Sequence, residues 1–357
     1  MYVKKLKLSG FRNYKSEEFE FLPGTNILYG NNAQGKTNAL EALYLFSIGK
    51  SFRTQQDREL INFEESFTRL FVEYEDAVRT NEIEIVIRRD RKKQIKINDV
   101  PISKMGDLIG KFCVILFSPD ELNLTKGSPN ARRRFLDIAL SQMKPKYYHI
   151  LRRYNKVLEQ RNNLIKKLRF SPGNSAKETL FVWNEKLSEY GMSIIEYRKE
   201  LVKRLNEYAG NIHKEISGEK FEIRYKAAFE KREDFRARLD ASVDKEIEQG
   251  FTMYGPHRDD LDIFTDDRDI KIYGSQGQHR SAVLALKLAQ ADMIYEDIGE
   301  YPVLLLDDIM SELDSSRRAY LVEKIKDKQV IITCTDADEI GISDSAGLIH
   351  IENGRIV

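Results

Sequence analysis

The spacing of hydrophobic residues changes along this chain and predicts strands in some stretches and helices in others. Residues 72–75, 82–88 and 94–98 alternate between apolar and polar positions or run apolar, as antiparallel strands do. From about residue 144 to 216 the apolar residues recur every three, four and seven positions, which is the pattern of amphipathic helices. The segment Ser171–Ser175 contains Pro and Gly, so it predicts a turn between two long helices that pair as an antiparallel arm.

A second kind of sheet is predicted from the two ends of the chain. Short apolar runs of the type found in buried strands span 25–29, 303–307, 330–333 and 348–351. Because these runs lie near both ends, we predict an α/β fold with a mainly helical region inserted into it. The predicted division assigns residues 1–135 and 250–357 to the α/β core and 136–249 to the helical insertion.

Bulk composition adds little to this division. The chain has 357 residues, a formal net charge of +1 and 32% charged residues, so charges of both signs must be sorted locally. Cys113 and Cys334 lie in apolar runs without a C-x-x-C spacing, which predicts buried thiols and a reducing compartment. The first residues lack a signal-peptide core, and no run approaches the ~18 apolar residues of a membrane helix. We therefore expect a soluble, cytoplasmic protein that does not associate with a membrane.

One segment carries a specific chemical pattern, G-x-x-x-x-G-K-[ST], whose backbone N–H groups wrap nucleotide phosphates. The residues that fit this pattern are Gly30, Asn31, Asn32, Ala33, Gln34, Gly35, Lys36 and Thr37. Lys36 is expected to reach the β- and γ-phosphates, and the Thr37 hydroxyl is expected to bind Mg²⁺. A predicted strand precedes the segment and a predicted helix follows it, so a plain glycine turn is the weaker interpretation. The sequence predicts a site for a nucleoside triphosphate.

The apolar strand at 303–307 ends in two carboxylates, as the Walker B element of such a site does. Asp307 is expected to hold Mg²⁺ directly or through water, together with Thr37. Asp308 follows at once and lies where a base would orient the attacking water. Any buried strand can end in two aspartates, but phosphoryl transfer needs a metal beside the γ-phosphate. The predicted catalytic residues are therefore Lys36, Asp307 and Asp308.

The order of these motifs resembles the ABC-type ATPase superfamily. Between the two elements lies a segment similar to the superfamily's signature motif, formed by Ser275, Gln276, Gly277 and Gln278. The resemblance implies that this segment, at the start of a second-lobe helix near 274–297, caps the γ-phosphate bound by another subunit. A helix N-terminus suits that role because it offers unpaired N–H groups to an anion. Ser311 and Asp314 match the D-loop, and the alternative for the signature is a plain helix start.

Further segments narrow the resemblance to SMC-like ATPases and, within them, to the RecF family. They are Lys50–Arg53, Leu124–Asp137, Tyr254–Leu261 and Gly274–Arg280. The resemblance implies a bacterial ATPase of recombinational repair and the SOS response, which dimerises on ATP and hydrolyses it slowly. It implies binding of DNA gaps and single-strand/duplex junctions, and work with RecR and RecO partners to load RecA. It also adds Arg12, Asn13 and Asn38 to the expected ATP-binding residues.

Three positions depart from the pattern of the superfamily. Asp308 stands where those ATPases usually place Glu, which is consistent with slow turnover. Thr335 falls where a switch histidine is common, and Ser118 falls where a glutamine is expected. Asp120 or Asp336 are alternative carriers of the missing contacts.

Basic residues are concentrated in one stretch, as DNA binding requires. From Lys126 to Arg169 there are thirteen Lys or Arg residues against two acidic ones, a local balance of +11. Such clusters neutralise phosphates and give affinity that depends on salt. Solvated helix faces are the alternative for any single side chain. The residues predicted to contact DNA are Arg53, Arg132, Arg133, Arg134, Arg152 and Arg153. His257 and Arg258 are predicted either to contact nucleotide or DNA or to brace the signature loop.

Other classes of P-loop protein explain less of this sequence. A structural SMC protein would carry a longer arm and a hinge. A transporter's ATP-binding subunit needs no basic arm and usually keeps Glu and His where Asp308 and Thr335 stand. A metabolic P-loop kinase leaves the signature segment, ~240 residues beyond the phosphate loop, without a role.

Overall fold

The computed structural model of the chain describes residues 1–170, 174–337 and 346–357. The chain divides into two compact units. Unit 1 contains residues Met1–Leu122, Asn211–Gly218 and Arg280–Val357, and unit 2 contains Asn123–Gly210 and Glu219–His279. The α/β class with long inserted helices, as predicted, is confirmed.

Unit 1 contains an antiparallel sheet with the strand order β2-β1-β4-β5-β6-β7. Its strands are β1 (Tyr2–Phe11), β2 (Tyr14–Glu20), β4 (Phe67–Glu75), β5 (Thr80–Arg88), β6 (Gln94–Ile97) and β7 (Val100–Ile102). Apolar and polar residues alternate along β4 and β5, so one face of the sheet is buried and the other carries charged pairs such as Arg69–Glu84. The antiparallel strands that the alternation predicted are therefore present.

A second sheet in unit 1 has the order β15-β14-β3-β13-β12-β8 and is parallel apart from β15. Its strands are β3 (Thr25–Tyr29), β8 (Val114–Phe117), β12 (Val303–Asp307), β13 (Val330–Cys334), β14 (Gly347–Glu352) and β15 (Arg355–Ile356). The central strands β12 and β13 are buried throughout and mostly apolar, because both of their faces are covered. Both cysteines are buried in this sheet region, as expected.

The core of unit 1 joins the two sheets through one helix. Helix α1 (Lys36–Ile48) packs its Leu40, Leu43 and Phe46 into a single apolar cluster with residues of both sheets. Ten of the thirteen residues of α1 are buried, as expected of a helix that is covered on every side. The other helices of unit 1 are α10 (Ile309–Glu312), α11 (Ser315–Ile325) and most of α9 (Gln276–Ile298).

Unit 2 is mainly helical. Its helices are α2 (Asn123–Lys126), α3 (Pro129–Met143), α4 (Pro145–Phe170), α5 (Asn174–Ser217, which ends in unit 1), α6 (Arg232–Ala241), α7 (Val243–Gln249) and α8 (Ile270–Tyr273). Helices α4 and α5 pair antiparallel, because Tyr147 contacts Tyr197 while Arg161 contacts Asn184. The predicted arm is therefore present, although residues 171–173 of its predicted turn lie outside the described residues.

Unit 2 also contains a small antiparallel sheet that we did not predict, with the order β11-β10-β9. Its strands are β9 (Phe221–Lys226), β10 (Asp260–Thr265) and β11 (Arg268–Asp269). Residues 123–135 and 250–273, which were predicted to belong to the α/β core, lie in unit 2 with this sheet. The reason is visible at Arg132, whose guanidinium binds Asp260 at 2.7 Å and the Gly127 carbonyl at 3.0 Å.

Within the described parts of the chain, no helix combines the length and apolar character that a membrane span requires.

Candidate nucleotide site

The phosphate loop connects β3 to α1 at the carboxyl edge of the parallel sheet. Gly30 and Gly35 adopt φ angles of 139° and 123°, which side chains other than glycine rarely tolerate. A Cβ atom on Gly30 would lie 2.3 Å from the Ile351 carbonyl oxygen, and one on Gly35 would lie 2.8 Å from Asn13 Nδ2. The two glycines are therefore required by both conformation and space.

Distant segments hold the loop in place. Asn13 Nδ2 donates to the Gln34 carbonyl at 2.8 Å, and the Gly354 N–H donates to the same carbonyl at 2.9 Å. Tyr14 Oη donates to the Gly35 carbonyl at 3.0 Å, and Asn38 Nδ2 donates to Asn13 Oδ1 at 2.8 Å. Asn13 and Asn38 were predicted to bind nucleotide, and the structure places them as supports of the loop.

Lys36 lies inside the loop with 6% of its surface exposed. Its Nζ donates to the carbonyls of Gly30 and Asn31 at 2.6 and 2.8 Å. Burial lowers the pKa of Lys36, and the nearby carboxylate of Asp308 opposes that shift. The ammonium therefore lies at the centre of the loop, where a phosphate would supply the negative charge.

The Walker B carboxylate meets the phosphate loop across the sheet. Thr37 Oγ1 donates to Asp307 Oδ1 at 2.8 Å, although 270 positions separate the two residues. Burial raises the pKa of Asp307, and hydrogen bonds from Thr37 and Thr333 lower it. A hydroxyl beside a carboxylate is a donor set that suits Mg²⁺ when phosphate oxygens and water complete the shell. No group of three or more His, Cys, Asp or Glu able to hold a metal occurs in the part of the chain described.

Asp308 has a left-handed backbone, with φ of 55° and ψ of 17°. Its N–H donates to Thr333 Oγ1 at 3.0 Å, and its carbonyl accepts from Ser311 Oγ at 2.8 Å. Asp is enriched in this conformation relative to most residues with side chains. The backbone at this position therefore favours the Asp that departs from the usual Glu. The cleft beside it is lined by Asn32, Asp308, Met310, Ser311, Arg318, Thr333, Cys334 and Thr335.

The other departures lie in different environments. Thr335 is exposed and lines the same cleft as Asp308. Ser118 is buried at the end of β8, and its carbonyl accepts from the Glu121 N–H at 3.0 Å. Asp120 and Asp336 are both exposed. Which of these residues supplies the contacts of the usual glutamine and histidine stays a prediction.

Arg12 and Arg53 converge on one buried carboxylate that the sequence analysis missed. Glu41 of α1 is fully buried and binds Arg12 through two hydrogen bonds of 2.9 and 2.7 Å. Arg53 Nη1 donates to Asn38 Oδ1 at 2.7 Å and lies 3.6 Å from Glu41 Oε2. The structure therefore gives Arg12 an internal partner and leaves the Arg53 side chain exposed beside the loop helix.

The signature segment belongs to unit 2, where it begins α9. The Ser275 N–H donates to Gln278 Oε1 at 2.9 Å, and the Gln278 N–H donates to Ser275 Oγ at 3.2 Å. This reciprocal pair is a capping box. Gln278 Nε2 also donates to Glu219 Oε1 at 2.9 Å, while Ser275 and Gln276 are exposed. A capped helix start fits both interpretations of this segment, so the role of Ser275, Gln276, Gly277 and Gln278 stays a prediction.

The D-loop residues shape the chain beyond the Walker B strand. Asp314 caps α11 by accepting from the Arg317 N–H at 2.9 Å. Ser311 fixes Asp308 through the bond described above. Both predicted residues therefore have local structural contacts, and their function in a dimer stays a prediction.

The basic segment needs a correction. Arg132 is 3% exposed and is bound to Asp260, and Arg161 is fully buried with Glu246 at 2.6 Å. A guanidinium held inside the protein is not available to DNA, so the prediction for Arg132 is wrong. Arg133 is partly buried and donates to the Asp259 carbonyl at 2.7 Å. The basic side chains of the segment that are exposed are Lys126, Arg134, Lys144, Lys146, Arg152, Arg153, Lys156, Lys166, Lys167 and Arg169.

His257 braces unit 2 from within. Its Nε2 lies 3.2 Å from the Thr252 carbonyl, so Nε2 carries the proton, and Nδ1 accepts from Tyr154 Oη at 2.6 Å. Burial lowers the pKa of His257 to about 4. Arg258 is exposed and stacks over the Phe251 ring at 5.1 Å. These partners lie in α4 and the Thr252 segment, so the predicted contact of His257 with nucleotide, DNA or the signature loop stays a prediction.

Comparison with known proteins agrees with this geometry. The family model described as RecF/RecN/SMC N terminal domain matches residues 2–356. "DNA replication and repair protein RecF" of Clostridium perfringens is 42% identical, over 100% of this chain and 99% of that protein. The protein of the same name from Clostridium kluyveri is 43% identical over 100% and 99%.

Solved structures give the same result. The structure of the recombination mediator protein RecF-ATP in the RecFOR pathway aligns with a TM-score of 0.92 and 36% identity, covering 100% of this chain and 97% of that one. The Smc head bound to the C-winged helix domain of ScpA aligns with a TM-score of 0.57 at 15% identity, covering 100% and 97%, which supports the fold alone. Fold and site together define an ATPase head of the ABC and SMC type. Within that class, the chain belongs to the RecF family of DNA replication and repair proteins.

Proposed function

We propose that this chain binds ATP and Mg²⁺ at the phosphate-loop edge of unit 1 and that the bound nucleotide controls dimerisation on DNA during recombinational repair. The contact between Thr37 Oγ1 and Asp307 Oδ1 at 2.8 Å carries the proposal. It joins the residue that ends the phosphate loop to the carboxylate that ends β12, as a site for Mg²⁺ and triphosphate needs. Solved RecF structures with ATP support the choice of nucleotide.

Each residue of this edge has a distinct task in slow hydrolysis. Lys36 exchanges its two carbonyl partners for β- and γ-phosphate oxygens and so neutralises charge that develops in transfer. Thr37 and Asp307 would hold Mg²⁺, which would supply positive charge beside the phosphates. Asp308 accepts a hydrogen bond from the attacking water and orients it. Its side chain is one methylene shorter than the usual Glu, which places water less favourably and slows turnover.

The second half of the site comes from another copy of the chain. The exposed Ser275, at the start of α9, caps the γ-phosphate held by the phosphate loop of its partner. Its Oγ already accepts from the Gln278 N–H, which leaves the hydroxyl proton for a phosphate oxygen. ATP therefore links two protomers, and hydrolysis releases them.

DNA contacts the exposed basic side chains of α3 and α4 and the exposed Arg53. After Arg132 is removed from the set, the exposed Arg134, Arg152 and Arg153 remain as candidates, and so does the partly buried Arg133. These side chains present positive charge without a module for reading bases, so recognition depends on shape, such as gaps and single-strand/duplex junctions. A RecR-like partner binds this assembly, and RecO and RecA act with it indirectly, as the RecFOR context of the solved structures supports.

Sedimentation of the wild type, Lys36→Arg and Ser275→Arg with ATP and Mg²⁺, with and without gapped DNA, tests the proposal. We expect ATP-dependent dimers of the wild type that bind gapped DNA. Ser275→Arg should remain monomeric while it still binds nucleotide, and Lys36→Arg should lose tight phosphate contact. A wild type that stays monomeric in ATP and ignores DNA contradicts the clamp and leaves nucleotide binding alone.

A further inference from the structure

A single threonine hydroxyl is hydrogen-bonded to both Asp307, which ends β12, and Asp308, which follows it. Thr333 of β13 stands directly beside Asp307, because the two strands pair in parallel with these residues in register. Its Oγ1 donates to Asp307 Oδ1 at 2.9 Å and accepts from the Asp308 N–H at 3.0 Å. The Leu306 carbonyl, at 3.5 Å, is too distant to compete for the proton. Thr333 is 1% exposed, so water cannot replace these bonds easily.

The first of these bonds fixes the orientation of the metal-binding carboxylate. Thr37 and Thr333 both donate to Asp307 Oδ1. Two donors on one oxygen hold the carboxylate in a single rotation. Oδ2 accepts no hydrogen bond from the described part of the chain, so it is the oxygen available to Mg²⁺ or to its water. Thr333 therefore acts on the metal through Asp307.

The second bond fixes the backbone of the next residue. Asp308 has a left-handed conformation that L-residues adopt reluctantly. The hydrogen bond from its N–H to Thr333 and the bond from Ser311 to its carbonyl hold that conformation. The direction of the Asp308 side chain depends on this backbone, so the same hydroxyl also sets where the proposed base points.

We propose that Thr333 is a positioning residue for Mg²⁺-dependent nucleotide binding, with one hydroxyl that orients both Asp307 and Asp308. The inference rests on the proposed function, because it requires a nucleotide with Mg²⁺ at this edge of unit 1. It assigns a role to a residue outside the phosphate loop, Walker B, signature and D-loop segments. Loss of the hydroxyl should weaken binding that depends on Mg²⁺ and leave binding without the metal unchanged.

Three variants separate the hydroxyl from the shape of the side chain. Thr333→Val removes the hydroxyl and keeps the branched shape, and Thr333→Ser keeps the hydroxyl and removes the methyl group. Thr68→Val is the matched control. Thr68 is fully buried in β4 of the same unit, and its Oγ1 donates to the Ser9 carbonyl at 2.9 Å. It therefore loses a comparable buried hydroxyl at a position outside the site.

The measurement is equilibrium binding of a fluorescent ATP analogue, in EDTA and across a series of Mg²⁺ concentrations. We expect Thr333→Val to need about tenfold more Mg²⁺ for half-maximal binding, which corresponds to about 1.4 kcal/mol. Its affinity for the analogue in EDTA should stay within about twofold of the wild-type value, because the deleted hydroxyl lies outside the phosphate loop. Thr333→Ser and Thr68→Val should both keep the Mg²⁺ requirement of the wild type.

Three results would overturn the inference. They are an unchanged Mg²⁺ requirement in Thr333→Val, an equal defect in Thr333→Ser, or an equal defect in Thr68→Val. If Thr333→Val does not fold, Thr333→Ala provides the same deletion and is judged by the same comparison. A wild type that does not bind the analogue under any condition refutes the proposed function itself. If the wild type binds the analogue normally and one of the three results is obtained, only the inference about Thr333 fails.

Discussion

The phosphate loop and the signature segment both begin a helix, but their first turns are stabilised in opposite ways. The start of α1 has no side-chain cap, and long-range contacts from Asn13, Tyr14 and Gly354 hold the loop before it. The start of α9 is capped by its own residues, Ser275 and Gln278, within four positions of the chain.

This difference decides what each helix can offer an anion. The N–H groups in the first turn of a helix have no partner inside the helix. At α1 side chains do not occupy them, so they are available to phosphates of a bound nucleotide. At α9 the capping box already uses one of them, and the exposed Ser275 hydroxyl becomes the main donor. The first site is built within unit 1, and the second presents a small exposed surface suited to a ligand on another molecule.

The largest expected effect concerns the metal side of the phosphate-loop edge. Asp307→Asn keeps the shape of the side chain and removes the charge that would hold Mg²⁺. We expect the rate of ATP hydrolysis to fall by about 10²–10³-fold, the usual cost of losing one charge-stabilising group at the reacting phosphate. Steady-state hydrolysis and ATP binding in EDTA are the measurements. Asp262→Asn is the control, because Asp262 pairs with Lys226 on the surface of unit 2. If Asp307→Asn weakened ATP binding in EDTA as strongly as it slowed hydrolysis, the assignment of Asp307 to the metal would be contradicted.

A pair of glycine variants tests the comparison of the two helix starts directly. In Gly35→Ala the new Cβ atom would lie 2.8 Å from Asn13 Nδ2, on a residue whose φ is 123°. We expect this to cost about 1–3 kcal/mol of strain. ATP binding should weaken by about ten- to hundredfold as a result. Gly277 lies inside α9, where Ala is preferred to Gly by about 1 kcal/mol. Gly277→Ala should therefore keep nucleotide binding by the monomer and raise the melting temperature slightly. Similar losses of ATP binding in both variants would contradict the difference proposed between the two helix starts.

The same contrast explains which parts of the site could be predicted from the sequence. The phosphate loop is contiguous, and its glycines, Lys36 and Thr37 are fixed by chemistry at neighbouring positions. Asp307 could be assigned because an apolar strand ends in a carboxylate. Thr333 could not be assigned, because a threonine in a buried strand has a role only when the neighbouring strand is known.

Charged pairs were harder to predict for a related reason. Arg132 and Arg161 belong to a strongly basic segment, and their partners Asp260 and Glu246 lie 128 and 85 positions away. Local charge counts treat such arginines as exposed. The strand Phe221–Lys226 was likewise not predicted, and it pairs with β10, which begins 34 positions further along the chain at Asp260.

Acid should affect the unit that carries the signature segment through His257. Burial lowers its pKa to about 4, against a usual value of about 6.5. The folded protein thus keeps His257 neutral while the unfolded chain takes up a proton as the pH falls below 6.5. Stability from this residue is present above pH 6.5 and is lost as the pH falls toward 4, by about 2 kcal/mol between pH 7 and 5.

Denaturant unfolding at these two pH values, in the wild type and in His257→Gln, measures that loss. The variant should be less stable at pH 7 and should lose less stability on acidification than the wild type. His149→Gln is the control, because His149 is exposed. Parallel pH profiles for the wild type and His257→Gln would show that His257 does not cause the loss.

The smallest expected effect lies at the signature segment, where Glu219 orients Gln278. Glu219 Oε1 accepts from Gln278 Nε2 at 2.9 Å, and Gln278 in turn caps α9 with Ser275. Glu219→Ala removes this bond at a cost of about 1 kcal/mol. We therefore expect ATP-dependent dimers to dissociate about three- to fivefold more readily, while ATP binding by the monomer stays unchanged.

Sedimentation equilibrium with ATP and Mg²⁺ measures this change, and Glu222→Ala is its matched control. Glu222 is a partly buried glutamate of β9 whose partner is Arg224, so its loss leaves Gln278 untouched. If Glu219→Ala weakens nucleotide binding by the monomer, Glu219 acts on general stability and not on the signature segment. If it leaves dimerisation unchanged, the capping box alone fixes Ser275. The start of α9 then depends only on its own residues, which makes the contrast with the phosphate loop sharper still.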